Sequence, residues 1–234
     1  MVSKRFLIVN GYDFGASQGI NRGIMEAHYR GILTSTSLMV EMPGAEEAAR
    51  MRLDAPGMSV GLHVVFTTEE GNPLIDFESA EECRTGLNRQ VDRFFALIGN
   101  LPSHLDAHHN IYRDQRLNPI FLEAAKRIKI PLREHSLVKY FSEFYGQWNG
   151  ETHLEQISVE NLQKMLCEKI RGQFTELSCH PGYVEPAYRT SYSFERETEL
   201  KTLCSPVIQE TIDALGIGLM NYWNLEDFVS RSSG

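Results

Sequence analysis

The sequence predicts an α/β protein whose mainly parallel sheet is covered by helices, and three observations carry that expectation. The first is alternation: short apolar or β-rich runs recur along the chain with helical patterns between them. The second is length, since 234 residues suit one large core of the kind α/β barrels use. The third is the lack of any internal repeat, low-complexity tract or Pro/Ser-rich linker, so residues 1–234 read as a single domain. A closed or partly open barrel and a doubly wound open sheet both fit this pattern. Periodicity does not choose between them.

The strand-like runs are Phe6–Asn10, Leu33–Val40, Ser59–Phe66, His104–Ile111, Ile130–Val138, Phe174–His180 and Ile217–Trp223. The clearest helix starts near Ser79, where Ser79 and Glu82 have the spacing of a capping box. It continues with Cys83, Leu87, Val91, Phe94 and Ile98 on one face. A later pattern carries Leu200, Leu203, Val207, Ile208, Ile212 and Leu215. Ser205 and Pro206 inside it predict a fresh N-cap and first turn, because proline is tolerated there and disruptive further in. Met25–Arg30 and Leu162–Ile170 supply weaker helices.

The formal net charge is −8. Nucleic acids and anionic membranes both attract clustered Lys and Arg, so neither is an expected partner. No stretch approaches the roughly 20 apolar residues of a membrane span. The apolar run Phe6–Val9 is too short for the core of a secretory signal. Cys83, Cys167, Cys179 and Cys204 are scattered without a CxxC pair, as expected of reduced thiols. These features predict a cytoplasmic location.

Ionisable residues gather at the ends of the strand runs. Asp13 follows the first, in VNGYDFG, and His63 lies on the third, in GLHVVF. Asp106 and His108 lie on the fourth, in SHLDAHHNIY; Arg133 lies on the fifth, and His180 ends the sixth, in SCHPGY. In a parallel barrel the C-terminal strand ends form one rim, where active sites are assembled from different strands. Asp13, His63 and His108 have the composition of a catalytic divalent-metal site: two imidazoles, one carboxylate and room for water or substrate. Such an ion polarises a carbonyl and acidifies water. A strand histidine is more often a hydrogen-bonded structural residue, so the common rim, not any one residue, carries the metal expectation.

His180 reads as a general acid or as a turn histidine before Pro181. Asp106 shares a strand face with His104 and His108 and reads as a base, as a partner of a ligand, or as a satisfied buried carboxylate. Tyr140, Phe141, Phe144, Tyr145 and Trp148 form an aromatic-rich stretch suited to stacking on sugar rings, or to a hydrophobic loop or subunit contact. Cys179 beside His180 lacks a local thiol-protease signature.

These motifs resemble those of the YdjC-like carbohydrate deacetylases, which include chitooligosaccharide deacetylases. RFLIVNGYDFGASQGINRGIMEAHYRGILTSTSLMV is similar to the family's opening segment, with its NADDFG-type motif. GLHVVFT, SHLDAHHNIY, FYG, CHPGY and TELKTLCSP follow in the family's order. The resemblance implies a (β/α) barrel-like domain of about seven mostly parallel strands, a divalent metal ion (Mg2+ or Zn2+) and a small carbohydrate substrate. It assigns Asp13, His63 and His108 as metal ligands and His180 as the acid. Tyr12 stands where the family has a second aspartate, the expected general base, and Asn110 replaces the third histidine of an HHH run. A phenol with a pKa of about 10 is a poor base at pH 7 and a better donor. Asp106 is then the first substitute base to consider.

The leading expectation is a metal-dependent hydrolase that removes acetyl groups from N-acetylated carbohydrates. The alternative is a non-catalytic or altered-specificity metal or carbohydrate-binding protein on the same scaffold. A homodimer is left open.

Overall fold

Alternation along the central strand sets how the molecule is built. The computed structural model describes residues 4–185 and 188–225. Strand β1 (Arg5–Phe14) is almost wholly buried, and successive side chains on a strand point to opposite faces. Leu7 and Val9 join the main apolar cluster beneath the helices, whereas Phe6 and Ile8 pack with Phe174, Met220 and Tyr222. Asn10 and Tyr12 continue that second face, so it changes from apolar to polar toward the C-terminal end of the strand.

The remaining strands are β2 (Ser35–Leu38), β3 (Ser59–Val64), β4 (Leu105–Ala107), β5 (Lys139–Phe141), β6 (Gln147–Trp148), β7 (Glu151–Thr152), β8 (Phe174–Cys179) and β9 (Ile217–Leu219). Seven form one parallel sheet in the order β4-β3-β2-β1-β8-β5, with β9 beside the start of β1. Strands β6 and β7 form a separate antiparallel pair.

The sheet curls into a barrel-like form. Leu132 bridges to Leu105 at the β4 edge, and the next residue, Arg133, contacts both Asp106 on β4 and Glu176 on β8. In a flat sheet those strands would lie four spacings apart, or ~19 Å. Arg133 Nε is 3.6 Å from Glu176 Oε1, so the edges have closed toward each other. Of the two architectures the alternation allowed, the barrel-like one forms.

The helices are α1 (Gln18–Arg30), α2 (Ala45–Met51), α3 (Ala80–Ile98), α4 (Asn118–Ile128), α5 (Val159–Glu168), α6 (Phe194–Leu203) and α7 (Pro206–Ala214). Ser79 caps α3 by accepting from the Glu82 amide at 3.3 Å. The reciprocal half of the capping box is absent, because Glu82 Oε1 accepts from Asp76 N instead. Helices α6 and α7 break at Cys204–Ser205, with Pro206 in the first turn as expected. The four cysteines are free thiols. Among the described residues no helix is long and apolar enough to cross a membrane.

Three sequence expectations need correction. The run Ile130–Val138 makes only the isolated Leu132 bridge, because Pro131 lacks an N–H and Glu134 turns left-handed at φ 63°. The edge strand forms later, at Lys139–Phe141. The run His104–Ile111 ends as a strand at Ala107, since His109 and Asn110 adopt φ 55° and 54°. The run Ile217–Trp223 stops at Leu219, and residues 222–225 are helical. Helices α2 and α4 were not among the sequence expectations, although α4 carries a readable apolar face of Ile120, Phe121, Ala124 and Ala125.

Candidate metal centre and catalytic pocket

The inward faces of the curled sheet deliver the site. On β3 the series is Ser59, Gly61, His63; on β4 and its flanks it is His104, Asp106, His108; on β8 it is Phe174, Glu176, Ser178, His180. The outward residues Val60, Leu62, Leu105, Ala107, Leu177 and Cys179 belong to the apolar cluster under the helices. Period two therefore places the chemistry on one side of the sheet. Gly61 is required by close approach: a Cβ there would stand 2.4 Å from the His104 ring.

Asp13 and His108 reach the rim through departures from regular backbone. Asp13 has φ 65°, a conformation that Asp and Asn tolerate better than most residues. The left-handed residues after His108 leave its ring beside Asp13, while His109 turns to Thr67 Oγ1 at 2.9 Å. Asp13 Oδ1 lies 3.4 Å from His63 Nε2 and 3.6 Å from His108 Nδ1. The three buried residues each offer a ligand atom within 4.8 Å of the others.

The partners of these groups leave the facing atoms free. His63 Nδ1 donates to Asp106 Oδ1 at 2.6 Å, so Nε2 of the neutral ring keeps its lone pair toward Asp13. Arg196 on α6 donates to Asp13 Oδ2 at 2.6 Å. Asp13 Oδ1 is buried with no hydrogen-bond partner, which is costly unless something else occupies the space. Ligands held about 2.1 Å from a tetrahedral Zn2+ stand ~3.4 Å from one another, which matches the two measured edges. The residues present fit a divalent ion.

His180 and Tyr12 face the same cavity, of ≈ 410 Å³, that Asp13, His63 and His108 line. Their rings are neighbours, 5.3 Å apart between centroids. Tyr12 gives the cavity only its ring, because its hydroxyl donates to buried Glu176, which also accepts from Tyr222. Asp106 lies beneath the cavity, fully buried, and accepts from His63, Ser37 and Arg133. Tyr140 and Tyr145 also line the cavity, whereas Phe141 and Phe144 are core and Trp148 stacks on His153 outside it. Cys179 is buried, and burial pushes its thiol well above the usual range.

Charge and burial act against each other throughout. Burial alone would lower His63, but Asp106 and Asp13 push it up to about 8. The metal-free ring therefore carries a proton at neutral pH, and an ion must displace it. Burial raises Asp13 and Asp106, yet Arg196 holds the first and Arg133 the second well below the usual carboxylate range. Burial drives His180 down to about 3, leaving it neutral, and lifts Glu199 to about 8. The Glu199 carboxylate accepts from the His180 backbone amide and from the Tyr192 hydroxyl.

His104 gives a pH prediction away from the metal ligands. Its ring hydrogen-bonds Ser37 and Ser103 and stacks on Tyr222, and burial lowers its pKa from 6.5 to about 4. A depressed histidine contributes stability above its unfolded pKa and loses it as pH falls. The window is pH 6.5 down to about 4, and the ceiling is ~3 kcal/mol. Thermal melts of His104→Gln should lose less stability than the parent across that window. Parallel curves would exclude the effect.

Arg196, Glu199, Glu176 and Glu69 are parts of this region that the sequence reading missed. The first two lie on α6, whose buried face carries Glu195, Arg196, Glu199 and Thr202 beside Leu200 and Leu203. Charged residues in phase with a buried apolar stripe were the available signal. A family model described as YdjC-like protein matches residues 6–214. The chain belongs to the YdjC-like family. A relative from Geobacillus stearothermophilus, named carbohydrate deacetylase, is 34% identical over 93% of this chain and 97% of its own. A Proteus mirabilis (strain HI4320) relative, named chitooligosaccharide deacetylase, is 33% identical over 94% of this chain and 98% of its own. An Enterococcus faecalis V583 crystal structure, provisionally described as a cellobiose-phosphate cleavage protein, superposes with TM-score 0.79 at 26% identity, covering 95% and 99% of the two chains. The peptidoglycan deacetylase PdaC of Bacillus subtilis, in its D285S form, shares the fold at TM-score 0.58 and 13% identity, with 98% and 94% covered. Within this YdjC-like chain the candidate ligand cluster is thus carried by β1, β3 and the turn after β4.

Proposed function

We propose that this YdjC-like chain is a metal-dependent deacetylase that hydrolyses the N-acetyl group of an amino sugar. The observation that carries the reading is the buried Asp13–His63–His108 cluster, with Asp13 Oδ1 unpartnered, opening into a cavity walled by polar and aromatic groups. The names of the relatives point to the same bond. Asp13, His63 and His108 would hold the ion, whose donor set suits Zn2+, Mn2+ or Co2+ better than Mg2+. When bound, such an ion polarises the acetyl carbonyl and acidifies water.

The other side chains have separable roles. Arg196 fixes the Asp13 carboxylate, and Asp106 fixes the His63 tautomer. Stacked Tyr145 and Tyr192, with ring centroids 4.6 Å apart and planes nearly parallel, form an aromatic wall beside His180 on which a sugar face can rest. His180, neutral in its buried setting, carries no acidic proton of its own and is placed to relay to the departing amine a proton released by the attacking water. Tyr12 shapes the cavity floor with its ring and takes no proton, since its hydroxyl is committed to Glu176.

An acetate-release assay on N-acetylated mono- and oligosaccharides, with each metal and after chelation, tests this reading. Turnover that requires metal is expected, and silence across the panel would favour binding without hydrolysis, the reading that Tyr12 supports. Tyr12→Phe should keep kcat within a few-fold. A fall of the ~10²–10⁴-fold typical of general-base loss would give the phenol a chemical role.

A further inference from the structure

A deacetylase of the kind proposed above needs a group to take a proton from the attacking water, and this inference rests on that reading. Tyr12 cannot do so, because its hydroxyl donates to buried Glu176 and only its ring faces the cavity. Asp106 cannot do so either, because it is fully buried, already accepts from three donors and is not part of the cavity wall. Among the described residues lining the cavity, the carboxylates are Asp13 and Glu69. Asp13 belongs to the ligand cluster. Glu69 is left.

Glu69 is held in place by two neighbours from distant parts of the chain. It follows β3 in a loop closed by the Thr67–Pro73 bridge and by hydrogen bonds between Thr68 and both Gly71 and Asn72. Tyr188, from the segment after β8, donates to Glu69 Oε1 at 2.5 Å. The same oxygen lies 3.6 Å from His108 Nε2, a buried atom with no hydrogen-bond partner. Among the described residues no hydrogen bond reaches Glu69 Oε2. The side chain keeps 22% of its surface exposed. One oxygen is anchored beside the ligand cluster, and the residue lines the cavity.

We propose that Glu69 is the general base of this chain, standing in for the carboxylate that Tyr12 displaces. In the step, water oxygen bonds to the acetyl carbonyl carbon, the carbonyl π pair moves onto its oxygen, and the water proton passes to Glu69. The tetrahedral carbon then re-forms its C=O bond and breaks the C–N bond. The departing nitrogen keeps that pair and takes up one proton, which the proton held on Glu69 balances.

The test uses protein loaded with Zn2+, with Glu69→Gln and Glu69→Ala compared to the parent. Metal affinity is read by calorimetry, and turnover is read on N-acetylated sugars and on 4-nitrophenyl acetate. For a base, kcat falls ~10²–10⁴-fold in Glu69→Gln while Zn2+ affinity stays within a few-fold. Formate or azide added to Glu69→Ala should recover part of the rate, which a merely structural defect would not allow. The proposal is overturned if Glu69→Gln retains its rate, or if Zn2+ affinity falls by the ~10–100-fold typical of losing a partner that orients a ligand. A parent silent on sugars but active on the ester, with the same Glu69 dependence, removes the amino-sugar reading and keeps the base. A parent silent on both overturns both.

Discussion

An Asp13→Asn variant is expected to lose divalent-ion affinity by more than the ~10–100-fold that removal of an orienting partner costs. The substitution keeps the shape and suits the backbone, since asparagine also tolerates the φ of 65° found here. What it removes is the charge that faces two imidazoles and Arg196. Isothermal titration with Zn2+ or Mn2+ reads the loss directly. A second readout is the metal-free His63 ring, whose elevated pKa depends partly on Asp13 and should fall in the variant, as followed by NMR. Unchanged ion affinity would remove Asp13 from the ligand set.

Asp106→Asn is expected to cost ~3–5 kcal/mol of folding stability, the range for removing one partner of a buried ion pair. Its carboxylate is fully buried between Arg133, His63 and Ser37, and the substitution leaves the Arg133 charge without that partner. Against a total stability of ~5–15 kcal/mol this is a large fraction. Urea unfolding of the metal-free protein checks it. A variant that folds as stably as the parent and loses only turnover would restore Asp106 as the base.

The alternation of strands and helices was legible, and so was the face on which chemistry would lie. Motif order led to Asp13, His63, His108 and His180 because each stands at or beside a strand end, where local spacing is informative. Extents were less legible. The expected fifth strand contained Pro131, whose missing N–H was visible, but the left-handed turn at Glu134 carried no comparable mark. The Ser79 cap was readable as a local pattern, whereas the destination of Glu82 depended on where Asp76 came to rest.

Sequence alone determined the α/β class, the donor types of the candidate metal cluster and the phenol carried by Tyr12, all of which are properties of residue identity and short-range order. Tertiary structure decided what those residues touch. Curling brought Arg133 to Glu176, helix α6 carried Arg196 to Asp13, and two loops joined Tyr188 to Glu69. Those pairs are separated by 43, 183 and 119 positions in the chain. At such separations no periodicity links the partners, and only the closing of the sheet and the packing of its cover bring their charges within reach.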